Sequence, residues 1–238
     1  MMKKTIALYV LALWALLSSP AWADEASIRQ AFQVKFPKMT LESIARTPFA
    51  GLYEVVLDGQ VFYTDDKVSY ILSGNLIDMR AREPRNLTQE ASGRLAAAAL
   101  AKSTDSAVKR VRGSGKRVIY TFEDPNCGYC KEFQKELAKM NDVTVYTFLW
   151  PILSADSMEK SKAIWCSKDR AKAWDDAMLK GVSPTGRRDC DTTALERNAR
   201  LAQRFNLKGT PAVYLGSGEQ VGGYLPAEKL EAALAGAR

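Results

Sequence analysis

The sequence predicts an α+β N-terminal unit, a helical linker and an α/β C-terminal unit carrying a helical insert. Three observations predict it. Short strand-like runs separated by turn residues fill residues 39–72. An alanine-rich stretch, Leu95-Ala96-Ala97-Ala98-Ala99-Leu100-Ala101, follows a charged, proline-containing junction at residues 81–85. Beyond it, a run of β-formers from Val118 to Phe122 passes through Glu123-Asp124-Pro125-Asn126 into Cys127-Gly128-Tyr129-Cys130 and a helical pattern.

The first residues set the compartment. Met1-Met2-Lys3-Lys4 is a short basic start, and Thr5 to Leu17 is an apolar run too short to span a bilayer comfortably. Ala21-Trp22-Ala23 has the small–x–small spacing of a cleavage site, so residues 1–23 read as a secretory leader cut after Ala23. The alternative is an uncleaved membrane anchor. Cleavage removes two of 34 basic residues and none of the 27 acids, so the net charge falls from +7 to +5. The remaining excess alternates with acids, as in Lys131, Glu132, Lys135, Glu136 and Lys139, which describes a solvated surface and not a nucleic-acid patch. Histidine is absent, which excludes Cys–His and Ser–His–Asp hydrolases and His-ligated zinc enzymes.

In the N-terminal unit, Ser27 to Gln30 fits a capping box, with Ile28, Ala31, Phe32 and Phe36 on one helical face and Pro37 ending it. Strand-like runs follow at Met39–Ile44, Leu52–Leu57, Gln60–Thr64 and Val68–Leu72, and Asp58-Gly59 is a strong hairpin signal. No residue cluster here has catalytic or ligand spacing. Asn86 and Gln89 open a helix through Lys102, either a semi-rigid spacer or an ordinary packed helix. Past the cysteine motif, the pattern predicts a strand at Val143–Trp150 and a long helix over about 157–180, recapped at Ser167 and ended by Gly181. It then predicts a helix at Ala194–Phe205, strands at Ala212–Leu215 and Gln220–Tyr224, and a last helix opened by Pro226.

The cysteines carry the chemistry. Cys127 sits where a helix begins, so unpaired backbone N–H groups and the helix dipole favour its thiolate, the form that attacks disulfides. Cys130 is close enough to close a disulfide and release a captured partner. Cys166 and Cys190 remain, and an oxidising compartment favours pairing them as a structural bridge worth about 3.5 kcal/mol on the chain-entropy model. A four-thiolate zinc site is the rival, but it normally uses two C-x-x-C knuckles and this chain has one.

Strand, C-x-x-C helix, strand, helical insert, then Gly209-Thr210-Pro211 before a hairpin and a last helix resembles the thioredoxin fold. The runs Phe122 to Lys131, Ala163-Ile164-Trp165-Cys166 and Gly209 to Val213 are similar to the DsbC/DsbG family of bacterial periplasmic thiol:disulfide isomerases, closest to its DsbC branch. That resemblance implies an N-terminal dimerisation domain at 24–85, a helical linker at 86–104 and a thioredoxin-like catalytic domain at 105–238. It implies Cys127 and Cys130 as the redox pair, Gly128 and Tyr129 as tuners of its poise, and a cis Pro211 that, with the Thr210 backbone, receives substrate. It also implies a homodimer, misoxidised or unfolded exported proteins as substrates, a membrane reductase of the DsbD type as electron donor, and no cofactor or metal. In one respect the chain departs from thioredoxin: Thr121 stands where a buried acid is expected. The proton acceptor for Cys130 is then Glu123, another group or water.

Overall fold

The structure, a computed structural model, describes residues 22–80 and 82–236. The expected leader lies outside them apart from Trp22 and Ala23. The chain divides into two compact units that meet between Gly74 and Asn75. Among the described residues, no helix is long and apolar enough to cross a membrane.

The first unit packs helix α1 (Trp22–Lys35) on an antiparallel sheet of β1 (Leu41–Arg46), β2 (Tyr53–Leu57), β3 (Gln60–Thr64) and β4 (Ile71–Leu72), in that order. Ile28 and Phe32, one turn apart, meet Ile44, Tyr53, Val55, Leu57 and Val68 in its core. The helix starts before the expected capping box, because alanines and Glu25 upstream of Ser27 favour helix. Asp58 and Gly59 both take positive φ, 49° and 81°, the conformation of a tight two-residue hairpin turn. The expected fourth strand shrinks to Ile71 and Leu72. Val68 adopts φ 53°, and Asp65 Oδ1 accepts from the Ser69 and Tyr70 amides, so these residues form a turn.

The second unit begins with a short pair, β5 (Ile77–Asp78) and β6 (Arg85–Asn86), and helix α2 (Leu87–Lys102). Residues 75–85 lie within this compact unit. The Leu87 amide donates to Leu76 O and the Leu76 amide to Thr88 Oγ1, both at 2.9 Å. Asn86 caps α2 by accepting from the Gln89 amide at 3.0 Å. The helix is packed along its length and is no free spacer. Ala96 and Leu100 are buried against Tyr120, Phe122, Phe148 and Tyr214, while Gly93 lies against Gly218 so closely that a Cβ on Gly218 would fall 1.9 Å from Gly93 O.

Next come β7 (Val108–Arg112), β8 (Arg117–Glu123), α3 (Gly128–Lys139), β9 (Val143–Leu149), α4 (Ala155–Trp165), α5 (Arg170–Lys180), α6 (Thr193–Arg204), β10 (Ala212–Leu215), β11 (Gln220–Gly222) and α7 (Ala227–Gly236). The sheet order is β11-β10-β8-β9-β7, with β8 and β9 parallel and the other pairs antiparallel. This is the thioredoxin-like α/β arrangement, with α4 and α5 inserted. Alternation along β8 sends Tyr120 and Phe122 toward α2, and Ile119 toward Phe133 and Leu137 of α3. The stretch expected to be recapped at Ser167 does break there into α4 and α5, but the cap is two residues later: Ser167 Oγ donates back to Ala163 O at 2.7 Å, and Asp169 caps α5 through the Lys172 amide.

Candidate active site

The end of β8 delivers Cys127 to the N-cap of α3 with extended backbone, φ −72° and ψ 118°. Its Sγ accepts from the Cys130 amide at 3.3 Å and lies 3.3 Å from Thr210 O. Thr210 precedes Pro211 through a cis peptide bond, and the Thr210 carbonyl sets the loop before β10 against the first cysteine. Both cysteines are free thiols here. Cys127 is 6% exposed and Cys130 fully buried, which leaves the first as the accessible one. Gly128 has open space around its Cβ position, and the Tyr129 side chain projects outward, 71% exposed.

The two sulfurs are poised in opposite senses. A hydrogen bond from the Cys130 thiol, aided by Thr210 and the amides of Cys130 and Tyr129 against the cost of burial, brings Cys127 down to about 5. Thr210 Oγ1 is buried without hydrogen-bond geometry to any partner, yet it stands close enough to favour the thiolate. Burial, the Cys127 hydrogen bond and the charge of Glu123 push Cys130 far above the ordinary thiol range. At neutral pH, Cys127 is a thiolate and Cys130 a thiol.

Asp124 and Asn126 tie the loop to the insert by hydrogen bonds. Asp124, fully buried, accepts from the Asn126 amide at 2.8 Å and from the Ile152 and Leu153 amides at 2.8 and 3.0 Å. Asn126 Nδ2 donates to Asp156 at 2.8 Å, and its Oδ1 accepts from Lys160 at 2.8 Å. The C-x-x-C loop and the start of the insert are therefore one hydrogen-bonded assembly. Beneath α3, Glu123 is joined to Thr121 and Gln134, and Gln134 in turn to Arg110.

Comparison with known proteins agrees with this geometry. Residues 19–89 match the family described as the disulfide bond isomerase protein N-terminal domain, and residues 104–238 match a thioredoxin-like domain. A probable thiol:disulfide interchange protein DsbC of Bordetella parapertussis is 41% identical over 209 residues, 87% of this chain and 73% of that one. The chain belongs to the DsbC family. The thiol:disulfide interchange protein DsbC of Escherichia coli is 33% identical over 241 residues, covering 97% and 94% of the two chains. A crystal structure of a disulfide interchange protein from Neisseria gonorrhoeae is 41% identical and superposes with a TM-score of 0.53 over 56% of this chain and 96% of its own. As a DsbC-family protein, the chain is a thiol–disulfide exchange enzyme of the periplasm.

Within this DsbC-family unit, the remaining cysteines are joined to each other: Cys166 and Cys190 form a disulfide with Cα atoms 5.6 Å apart. Cys190 packs on the cluster that contains Cys127, Cys130, Trp165 and Trp174. Sequence reasoning missed Arg110, Asp124, Asn126 and Gln134. Gln134 had a signal, since it lies four residues after Cys130 and so shares its helical face. Asp124 and Asn126 read only as turn residues.

Proposed function

We propose that this DsbC-family chain is a protein disulfide isomerase and reductase that rearranges incorrect disulfides in exported proteins. The observation that carries the reading is the placement of Cys127 at the N-cap of α3, its Sγ accepting from the Cys130 amide and lying 3.3 Å from Thr210 O beside the cis Pro211, with Cys130 fully buried behind it. The same surroundings lower the Cys127 thiol and raise that of Cys130. The Cys127 thiolate attacks a substrate disulfide and forms a mixed disulfide. A low thiol pKa weakens a nucleophile but makes a better leaving group. A substrate thiol can therefore expel Cys127 readily, which completes an isomerisation. When rearrangement stalls, Cys130 closes the Cys127–Cys130 disulfide and leaves the substrate reduced. Gly128 and Tyr129 tune the thiolate, and the Thr210 backbone beside Pro211 pairs with an extended substrate segment. Cys166–Cys190 is the passive staple. No cofactor enters the cycle.

The cycle needs Cys127 kept reduced, which calls for a membrane reductase of the DsbD type. Residues 24–85 would join two chains as a homodimer with a shared surface for unfolded proteins, giving chaperone-like binding. The exposed edge strand β4 supports this: Ile71 and Leu72, with Tyr70 just before them, leave apolar surface available to a second copy. The test is reactivation of a scrambled multi-disulfide protein by residues 24–238 and by its Cys130→Ala variant. The reading expects the variant to begin rearrangement but accumulate covalent substrate complexes. A variant that cycles as freely as the parent, without complexes, contradicts it.

A further inference from the structure

One buried carboxyl group has no part in the cycle described so far. Thr121 and Glu123 are two residues apart on β8 and so face the same side, toward α3. Glu123 is fully buried, and its Oε1 accepts from Thr121 Oγ1 and Gln134 Nε2, each at 2.6 Å. Its Oε2 is buried with no hydrogen-bond partner. Gln134 lies one turn beyond Cys130 on α3.

The arrangement is poorly explained as a structural ion pair. Arg110, from edge strand β7, donates to Gln134 Oε1, to Thr147 Oγ1 at 3.0 Å and to Asp175 Oδ1 at 3.0 Å. It reaches Glu123 only through intermediaries, Gln134 on one side and Thr147 with Thr121 on the other, and Arg110 Nε and Glu123 Oε2 are both left without hydrogen-bond partners. A buried pair kept for stability would close that gap, because unpaired charged groups in the interior are costly. Here one carboxylate oxygen is clamped and the other is free. The titratable or charged groups around Glu123 are Arg110 from β7, which also binds Asp175 of α5, Cys127 at the N-cap of α3 and Cys130 within that helix. The Glu123 charge is felt at Cys130, and the Cys127 thiolate is felt at Glu123.

We propose that Glu123 is the proton acceptor for Cys130 in the resolving step, with Thr121, Gln134 and Arg110 as its positioning residues. The proposal rests on the redox cycle proposed above. The Cys130 S–H bond breaks and the proton goes to Glu123 Oε2. The sulfur electron pair forms the Cys127–Cys130 bond as the Cys127–substrate bond breaks, and the substrate sulfur leaves as a thiolate. The two enzyme sulfurs are oxidised and the substrate disulfide is reduced to thiols. Glu123 then returns the proton to solvent. Burial, with the Cys127 charge adding to it, raises Glu123 to about 7, which matches it to proton transfer at neutral pH.

The test loads Cys127 of the full chain as a mixed disulfide with 5-thio-2-nitrobenzoate and follows release of the coloured thiolate. In the parent protein the release rate should fall as pH drops through an inflection at or somewhat below 7, since capping Cys127 removes one charge that raises Glu123. Glu123→Gln should slow release by about 10²-fold or more at neutral pH and gain a hydroxide-dependent rise toward pH 9, while Cys127 alkylation changes only a few-fold. Glu123→Asp should recover part of the rate. A Gln variant with parental rate and profile overturns the proposal. If the variants fail to fold, a parental rate that climbs tenfold per pH unit from 5 to 9 without inflection overturns it equally. Release from a Cys130→Ala protein as fast as from the parent would instead sink the underlying redox cycle.

Discussion

The backbone amide of Cys130 points at the sulfur of Cys127 across 3.3 Å. The second cysteine thus stabilises the charge on the first while its own sulfur stays buried and neutral. One turn of helix separates the two sulfurs, and the asymmetry in burial fits the proposed order, with Cys127 as nucleophile and Cys130 as resolver.

Reactivity at Cys127 should follow from that asymmetry. Alkylation by iodoacetamide should show an inflection near pH 5 and label Cys127 alone up to about pH 8. Mass spectrometry of digests checks it. Substantial labelling of Cys130 at pH 7 would contradict the assignment.

Stability should depend on pH differently in the two redox states. Cys127 in the reduced protein is depressed to about 5, so its contribution is full above the ordinary thiol range and is lost as pH falls through 5. Glu123 is raised to about 7, so its contribution is full below the ordinary carboxyl range and is lost as pH rises through 7. Each proton changes stability by about 1.4 kcal/mol per pH unit. The slopes cancel between pH 5 and 7, and the reduced protein then gains stability from 7 toward 9. The oxidised protein lacks the thiolate, so it should lose stability from about 4.5 to 7. Urea titrations of both forms across this range read the difference.

Gly218→Ala should detach α2. At φ +83°, a new Cβ would meet Gly93 O at 1.9 Å and the Ala97 amide nitrogen at 2.4 Å, both backbone atoms that cannot step aside. A loss of about 2 kcal/mol or more is expected, as for other overpacked or strained positions. Hydrogen exchange should rise across Leu87–Lys102, while Cys127 alkylation is retained.

Asp124→Ala should loosen the insert from the active-site loop. Three backbone amides, of Asn126, Ile152 and Leu153, lose their acceptor, and a cost of about 2–4 kcal/mol follows from leaving such groups unpaired. Faster exchange of the Ile152 and Leu153 amides is the local signature. Unchanged exchange there would contradict the tie.

Much of this was legible in the chain. Asp58-Gly59 named its hairpin, because few other pairs take positive φ twice. Cys127 named the helix start, since strand formers ran straight into it. What escaped was set by distant partners. Strand β7 was hidden because Val108-Lys109-Arg110-Val111-Arg112 reads as a charged surface run, and only Gln134, Thr147 and Asp175 make a buried Arg110 tolerable. The break between α4 and α5 was legible, but its cap was misplaced: Ser167 could cap a helix or bond backward, the Ala163 carbonyl took it, and Asp169 caps α5 instead. The alanine run looked like a spacer because small side chains suit a solvated helix and a close-packed one equally. Its contact with Gly218 decides for packing.

The most direct measurement is reactivation of a scrambled multi-disulfide protein, comparing residues 24–238 with residues 75–238 at equal active-site concentration. The cut lies at the boundary between the compact units, so α2 keeps its place in the second. The account predicts that the longer chain reshuffles efficiently and the shorter one mainly reduces its substrate. Equal reactivation by both, or none by either, would contradict the isomerase role.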